Sequence, residues 1–272
     1  MIDRREQALT YALLGVFSLI ALVPIAGILL TALQAPGEVA GFGAFNGLHV
    51  GNFATAWDEG NFSQYLRSSA IVGVSVVVAS TLLSILAGDA FGMMRFRGDQ
   101  PLFYLFLLGL MVPLESTVVP LYYDLRDLGL TDTYAALILP QVGVSVAFGT
   151  FWMRAFFRSV PRSLVEAARL DGSSSWSTLW RVVLPVGRPA VLTMMVLVFM
   201  WTWNEFLLAL VMVSDESLRT APLGLAFFSG RNTTDFALLA AGSVIVATPV
   251  VILYVFLQRH FIRGMLSGAV KG

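Results

Sequence analysis

The sequence contains no cysteine, two histidines and a single lysine, Lys271, close to its C-terminus. A nucleotide-binding P-loop needs a lysine directly after its glycines, so this polypeptide is not predicted to bind or hydrolyse ATP. His49 and His260 lie far apart in the sequence, and without cysteine they cannot make up a zinc site. We therefore predict a chain with no catalytic residue, no metal site and no cofactor of its own.

Charged residues are also scarce, at 12% of the chain, whereas hydrophobic residues make up 57% and the mean hydropathy is +0.78. A soluble domain has about 25% charged residues, so this balance predicts an integral membrane protein whose environment is the lipid bilayer. The formal net charge is zero and no run of basic residues occurs. Nucleic acid is therefore not expected as a partner.

Long apolar runs occur six times, and each is close to the roughly 20 residues that a helix needs to cross a bilayer. They predict an all-α membrane protein with one transmembrane domain over residues 1–272. Proline occurs inside several runs, as a candidate kink. The predicted spans are 11–33, 68–93, 102–123, 134–157, 189–213 and 237–259, and the candidate kinks are Pro24, Pro113, Pro120, Pro140 and Pro249.

The distribution of arginine and lysine indicates the orientation of these spans. If the N-terminus lies in the cytoplasm, thirteen of the 17 basic residues fall in cytoplasmic segments and four fall outside. Cytoplasmic loops of membrane proteins are enriched in arginine and lysine. The sequence therefore predicts a multi-pass protein of the cytoplasmic membrane with both termini in the cytoplasm.

One polar segment, residues 159–188, separates the fourth and fifth runs and falls on the cytoplasmic side. Ser163 and Glu166 have the spacing of a capping box, which predicts the start of a helix there. Gly172 is expected to end that helix, the run Ser173 to Ser175 to cap a second one, and Pro185 to end it. The resulting helix-turn-helix, called the elbow below, is either a docking surface for another protein or a solvated loop.

The elbow resembles the signature loop of permease subunits of bacterial ABC importers, most closely the maltose-type carbohydrate branch. The resemblance rests on the EAA motif at Glu166 to Ala168, with Gly172 and Leu184-Pro185 downstream. Supporting matches are Trp203 to Phe206, residues 232–236, and the C-terminal residues 268–272.

This resemblance implies the six-helix fold of type I importers and a set of partner proteins. The partners are a homologous second permease, two ATPase subunits that bind ATP and magnesium, and an extracytoplasmic solute-binding protein. It also implies that the elbow contacts the ATPase and that the C-terminal tail, with Lys271 and Gly272, inserts between the two ATPase subunits. The expected coupling residues are Glu166, Ala167, Ala168, Leu170, Asp171, Gly172, Trp176 and Leu179.

Three acidic residues, Asp89, Glu115 and Glu205, fall within predicted spans, where a charge is costly. On a continuous helix, Trp201, Asn204, Glu205 and Leu208 would share one face. A carboxylate, an amide and an indole on one face suit a neutral sugar, so Glu115, Trp201, Asn204 and Glu205 are candidates for the translocation pathway. Alternatively, Asn204 and Glu205 hydrogen-bond to neighbouring helices. Asp89 is interpreted as a helix-end acid that reaches water or Arg95.

Two other functions remain open on the sequence. A self-contained secondary transporter or channel would use Glu115 and Glu205 as proton or cation sites. An ABC permease for a solute other than sugar would share the elbow. Because no basic residue lies centrally in any predicted span, an anionic solute is not favoured, and we predict a neutral mono- or oligosaccharide.

Overall fold

The computed structural model describes residues 4–36, 47–231 and 235–269, and this part of the chain is helical without a β-strand. The first six helices are α1 (Arg4–Ala32), α2 (Gly51–Glu59), α3 (Phe62–Met93), α4 (Asp99–Met111), α5 (Leu114–Asp127) and α6 (Tyr134–Ser159). The next four are α7 (Arg162–Leu170), α8 (Ser175–Thr178), α9 (Leu184–Val186) and α10 (Arg188–Trp203). The last three are α11 (Leu207–Met212), α12 (Ala221–Arg231) and α13 (Phe236–Ala269). The predicted all-α class is confirmed.

Four of the predicted spans are continuous helices that are long and apolar enough to cross a membrane: α1, α3, α6 and α13. The runs 102–123 and 189–213 are both interrupted. The first is broken at Pro113, which the sequence marked as a candidate kink, whereas the break in the second was not predicted. The first run divides into α4 and α5, which are bent by 96°. The second begins with α10 after an 80° bend and is interrupted before α11.

Pro113 accounts for the break between α4 and α5. Proline lacks a backbone N–H and forces the residue before it out of the helical region. Val112 and Pro113 accordingly have extended backbones, with ψ of 114° and 130°. The other candidate kinks, Pro24, Pro120, Pro140 and Pro249, lie inside α1, α5, α6 and α13 without ending them.

One compact unit comprises residues 1–64 and 223–249, as far as these are described. Its core includes Ala32, Ala56, Phe228 and Ala241, and the rings of Phe62 and Phe228 meet edge to face. Asn52 of α2 donates its side-chain N–H groups to the carbonyls of Ala32 and Gln34, at 2.9 and 2.8 Å. The segment 34–66, which separates the first two predicted spans, thus contains helix α2 and the start of α3.

The second compact unit comprises residues 65–222 and 250–272, again as far as described. Its central helix is α6, which packs against α4, α10 and α11. Asp132, before α6, has a left-handed backbone with φ +55°, and its carboxylate accepts hydrogen bonds from the backbone N–H groups of Ser214 and Asp215. This contact fastens the segment after α11 to the start of α6.

Helices α3 and α6 approach each other closely at two glycines of α3, Gly88 and Gly92. A Cβ atom at Gly88 would lie 2.5 Å from the Cβ of Met153 and 3.1 Å from the backbone nitrogen of Arg154. A Cβ at Gly92 would lie 2.7 Å from the Cβ of Phe157. The spacing Gly-x-x-x-Gly is a known helix-packing pattern in membranes, because it lets two backbones come together.

We expect Gly88→Ala to destabilise the chain by about 1–3 kcal/mol, because the added methyl has no space and α3 must move away from α6. Gly143→Ala is the matched control. Gly143 lies on α6, and a Cβ there meets nothing within 4 Å. That variant is expected to be neutral or more stable by up to about 1 kcal/mol. Unfolding of the chain in detergent by sodium dodecyl sulfate, followed by circular dichroism, measures both, and equal effects would contradict the close contact.

Candidate functional site

The elbow is a pair of short helical arms joined by a tight turn at Gly172. Gly172 is left-handed, with φ +81°, as the sequence predicts. Its N–H donates to the carbonyl of Arg169 and the N–H of Ser173 donates to that of Ala168, both at 3.0 Å. These two bonds form a Schellman motif, which closes the first arm and favours glycine at its turn. The Ser174 hydroxyl accepts from the N–H of Ser177 and caps the second arm, confirming the predicted cap.

The capping box predicted at Ser163 and Glu166 is wrong. Helix α7 begins at Arg162, so Ser163 already lies within its first turn. The residue at the N-cap is Pro161, which makes no side-chain hydrogen bond, although its carbonyl accepts from Leu164 at 3.2 Å. Proline before the first turn fixes the backbone there without a side-chain cap. Glu166 is consequently exposed instead of folded back over the helix start.

The predicted coupling residues divide between the two faces of the elbow. Ala168 and Leu179 are buried within this chain, whereas Glu166, Ala167, Leu170, Asp171, Gly172 and Trp176 are exposed. Leu170 is 89% exposed and Trp176 is 62% exposed. Two large apolar side chains of the elbow are thus exposed to solvent, as residues at a protein interface are in the absence of the partner.

The second arm of the elbow extends past Pro185, contrary to the prediction that it ends there. Residues Leu179–Val183 form a π-helical stretch, after which α9 includes Pro185 and ends at Val186. A wider turn of this kind accommodates a proline that lacks the usual N–H donor.

The end of the second arm is fixed to α6. Gly187 follows the arm, and a Cβ on it would clash with the ring of Phe156. Beyond it, the indole N–H of Trp152 donates to the carbonyl of Ala190 at 3.0 Å. The buried face of the elbow is therefore continuous with the helical core, while its opposite face is open.

The two broken spans form a second candidate site, at the depth of the membrane. Helix α10 ends at Trp203, so Trp201, Asn204, Glu205 and Leu208 do not share one helical face, and that prediction is wrong. Asn204 is the C-terminal cap of α10, and its side-chain N–H donates to the Met200 carbonyl at 2.7 Å. The ring of Trp201, 52% exposed, meets that of Phe148 edge to face.

Glu205 has a structural role that the sequence did not indicate. Its carboxylate accepts hydrogen bonds from the backbone N–H of Leu208 at 2.9 and 3.1 Å, and from that of Ala209 at 3.3 Å. These N–H groups belong to the first turn of α11 and have no partner within the helix. The alternative reading of Glu205 as a hydrogen-bonding residue is therefore favoured, although its partner is the backbone of the next helix segment.

Glu115 occupies a corresponding place in the other broken span, in the first turn of α5 after the break at Pro113. Its side chain is exposed. Helices α5 and α11, which follow the two breaks, pack against each other. The structure thus brings together two acidic residues, each at the start of the second half of a broken span.

The remaining predicted residues have simpler outcomes. Asp89 is half-buried, and none of the ion pairs among the described residues joins it to Arg95. Lys271 and Gly272 lie outside the described residues, and α13 runs to Ala269. In the described part of the chain no group of three His, Asp or Glu side chains could hold a metal ion.

Sequence reasoning missed the Gly88 and Gly92 contact and the break at Asn204, whereas Pro113 was already a candidate kink. The Gly-x-x-x-Gly spacing is visible in the sequence and could have indicated the glycine contact. The polar pair Asn204-Glu205 could have indicated the break, since polar groups in the middle of an apolar run can cap an interrupted helix.

Comparison with known proteins gives consistent matches. Residues 80–267 match the family described as "Binding-protein-dependent transport system inner membrane component". The chain is 39% identical to the probable ABC transporter permease protein YurM of Bacillus subtilis over 82% of this chain and 74% of the relative. It is 30% identical to the diacetylchitobiose uptake system permease protein NgcG of Streptomyces coelicolor, over 99% and 90% of the two chains. It is 35% identical to the trehalose/maltose transport system permease protein MalG of Thermococcus litoralis, over 78% and 77%.

A solved structure shares the fold. A chain of a bacterial ABC transporter involved in the import of the acidic polysaccharide alginate superposes with a TM-score of 0.78 at 23% identity, over 96% of this chain and 99% of that one. At this level of identity the match concerns the fold alone.

The capping role of Glu205 generates a direct prediction. Replacing Glu205 by alanine leaves the first N–H groups of α11 without their acceptor, at a cost of about 1–2 kcal/mol. We expect hydrogen exchange of residues 207–212, measured by mass spectrometry on the chain in micelles, to be roughly tenfold faster, while Glu205→Gln, which keeps one acceptor oxygen, has a smaller effect. Glu115→Ala is the control and should not accelerate exchange there. Unchanged exchange in Glu205→Ala would show that the cap does not stabilise α11.

Proposed function

Because this chain belongs to the family of binding-protein-dependent transport system inner membrane components, we propose that it is the permease subunit of an ATP-driven carbohydrate importer. It is a multi-pass subunit of a transport system and not an enzyme. The observation that carries the proposal is the elbow, whose open face presents Leu170 and Trp176 outside the membrane-spanning helices. A chain that cannot bind nucleotide needs such a surface to receive energy from a partner.

The proposed assembly contains a second, homologous permease, two ATPase subunits that hold ATP and magnesium, and an extracytoplasmic solute-binding protein. The missing P-loop supports separate ATPase subunits. A further structure with the same fold, at a TM-score of 0.65 and 14% identity, is an alginate ABC transporter in complex with a pentasaccharide-bound periplasmic protein. The arginine distribution supports an elbow, an N-terminus and a C-terminus in the cytoplasm. The C-terminal residues Lys271 and Gly272 remain a predicted contact of the ATPase pair.

The proposed mechanism is alternating access driven through the elbow. Closure of the ATPase pair on ATP would move the exposed face formed by Ala167, Leu170 and Trp176. The elbow is bound at its other end to Phe156 and Trp152 of α6 through Gly187 and Ala190, so it transmits this movement to α6 and α10. Two discrete arrangements of packed helices then open the pathway to either side.

A neutral sugar is the solute that the pathway residues support best. Interrupted helices at membrane depth are tolerated where they are buried in protein or line a cavity, which supports the two breaks as parts of the pathway. Trp201 offers an exposed ring and Asn204 an exposed amide near one break. The relatives named for diacetylchitobiose and for trehalose and maltose support the same class of solute.

The alternative of a self-contained transporter with Glu115 and Glu205 as ion sites is not supported. The relative NgcG, which matches 99% of this chain, is named as the permease protein of an uptake system. In addition, the carboxylate of Glu205 is occupied by the backbone of α11.

Adjacent alanines of the EAA motif allow a test that separates coupling from folding. Ala167 is exposed and Ala168 is buried against this chain. We expect Ala167→Asp to leave the amount and stability of the protein unchanged, while uptake by the assembled complex falls at least roughly tenfold, the factor that 1.4 kcal/mol of lost binding corresponds to.

Ala168→Asp is the matched control, because it places an unpaired charge in a buried position and should lower stability by about 2 kcal/mol or more. The measurements are solute uptake and ATP hydrolysis in reconstituted vesicles, and thermal unfolding of the purified chain. Full uptake by Ala167→Asp would remove this face from the contact with the ATPase.

The nature of the solute is tested with a panel of neutral, phosphorylated and acidic sugars. We expect the assembled complex to import a neutral mono- or oligosaccharide and to reject phosphorylated forms, because Glu115 and Glu205 repel anions. Trp201→Ala combined with Asn204→Ala should reduce uptake without affecting assembly. Preferential import of an anionic sugar or an amino acid would refute the choice of solute, and normal uptake by the double variant would exclude these two residues from the pathway.

A further inference from the structure

A groove of about 380 Å³ runs along the second arm of the elbow and the first turn of α10. It lies within the second compact unit and is distinct from the exposed face of the elbow. Its polar lining groups are the indole of Trp180 and the guanidinium of Arg188, and the rest of its lining is apolar: Ile85, Leu184, Pro185, Val191 and Leu192. The volume falls in the range of sites that bind small ligands.

The indole N–H of Trp180 is the first indication of a ligand. Its nitrogen is buried and forms no hydrogen bond with any described residue. A buried N–H without an acceptor costs about 1–3 kcal/mol, so such groups normally have a partner. Trp152, nearby in the same unit, illustrates the usual case, because its indole donates to the carbonyl of Ala190. Trp180 lines the groove, which places this unpartnered N–H beside it.

Arg188 is the second indication. Its side chain is exposed, and none of the ion pairs among the described residues includes it. It is the first residue of α10, the point at which the polar elbow gives way to an apolar helix. Arginine residues at the cytoplasmic ends of spans lie close to the lipid headgroups, and we infer that this junction lies at the headgroup level.

The groove therefore has a cationic and hydrogen-bonding end at the headgroup level and an apolar end toward the hydrocarbon. Val191 and Leu192 lie one turn further into α10, and Ile85 lies about 12 Å, or eight residues, from the end of α3. Anionic phospholipids have the complementary arrangement, with a phosphate attached to acyl chains, and basic pockets between helices bind them.

We propose that this groove binds one anionic phospholipid, whose phosphate is held by Arg188 and the Trp180 indole and whose acyl chain lies along Ile85, Leu184 and Val191. The site is independent of the transported solute. A free phosphate would not fill the apolar wall, and a zwitterionic lipid would offset the attraction of Arg188 with its own cation.

Native mass spectrometry of the full chain in detergent micelles, titrated with phosphatidylglycerol or phosphatidylcholine, tests the proposal. We expect one phosphatidylglycerol to bind about tenfold more tightly than phosphatidylcholine, and glycerol phosphate not to compete. Arg188→Gln should remove this preference, and Trp180→Phe, which removes only the N–H, should weaken binding about threefold. Arg181→Gln is the matched control, because Arg181 is also exposed on the second arm but does not line the groove.

Equal affinity for the two lipids, or equal losses in Arg188→Gln and Arg181→Gln, would overturn the proposal. Arg188→Lys, which keeps the charge, should retain the preference for phosphatidylglycerol over phosphatidylcholine. This variant provides the test if Arg188→Gln does not fold. A photoactivatable phosphatidylglycerol in membranes that contain the assembled transporter should label residues 184–192. Absence of that label, as expected if a partner helix covers the groove, would also refute the lipid site.

Discussion

The structure depends on one constraint: a backbone N–H or carbonyl group inside the hydrocarbon has no water to bond with. Continuous helices meet this requirement by themselves, as α3 and α6 do. Where a span is interrupted, side chains must supply hydrogen bonds to the backbone groups at the break. Glu205 accepts from two N–H groups of α11, the amide of Asn204 donates to a carbonyl of α10, and the hydroxyl of Ser116 donates to the carbonyl of Pro113 at 2.8 Å. Of these groups, the carboxylate of Glu205 supplies the acceptor that the first N–H groups of α11 lack, while Asn204 and Ser116 add a second hydrogen bond to carbonyls at the breaks.

Outside the membrane, water can also bond to the backbone groups at helix ends. The helix caps there mainly set the geometry of the turns. Ser174 and the Schellman bonds at Gly172 set the angle between the arms of the elbow. Asp132 does the same between α6 and the segment after α11, and Asn52 closes the end of α1. The chain therefore uses the short side chains of serine, asparagine and aspartate at turns, and the longer glutamate, Glu205, at the break between α10 and α11.

This distinction explains how much of the fold and of the candidate site could be predicted from the sequence alone. Hydropathy and arginine bias identify the spans and the elbow because both depend on composition, and Gly172 and Ser174 are recognisable because turn chemistry is local. The capping box predicted at Ser163 was wrong because α7 begins earlier, directly after Pro161. Pro113 was recognisable as a candidate kink because the effect of proline on a helix is local. The break at Asn204 was missed because hydropathy measures how apolar a segment is and not which side chains complete the hydrogen bonds at a break. The contact at Gly88 requires knowledge of which helix lies opposite.

The break at Glu205 also constrains what the solute pathway can be. A carboxylate that holds the first turn of α11 cannot take up and release a proton in each cycle without loosening that turn, because protonation weakens its hydrogen bonds to the backbone. Energy for transport must therefore enter elsewhere. The elbow is the part of the described chain that combines an open apolar face with a fixed attachment to the spans, through Gly187 and Trp152 to α6. In the proposed mechanism, movement of that face reaches α6, which packs directly against α10 and α11 on either side of the break.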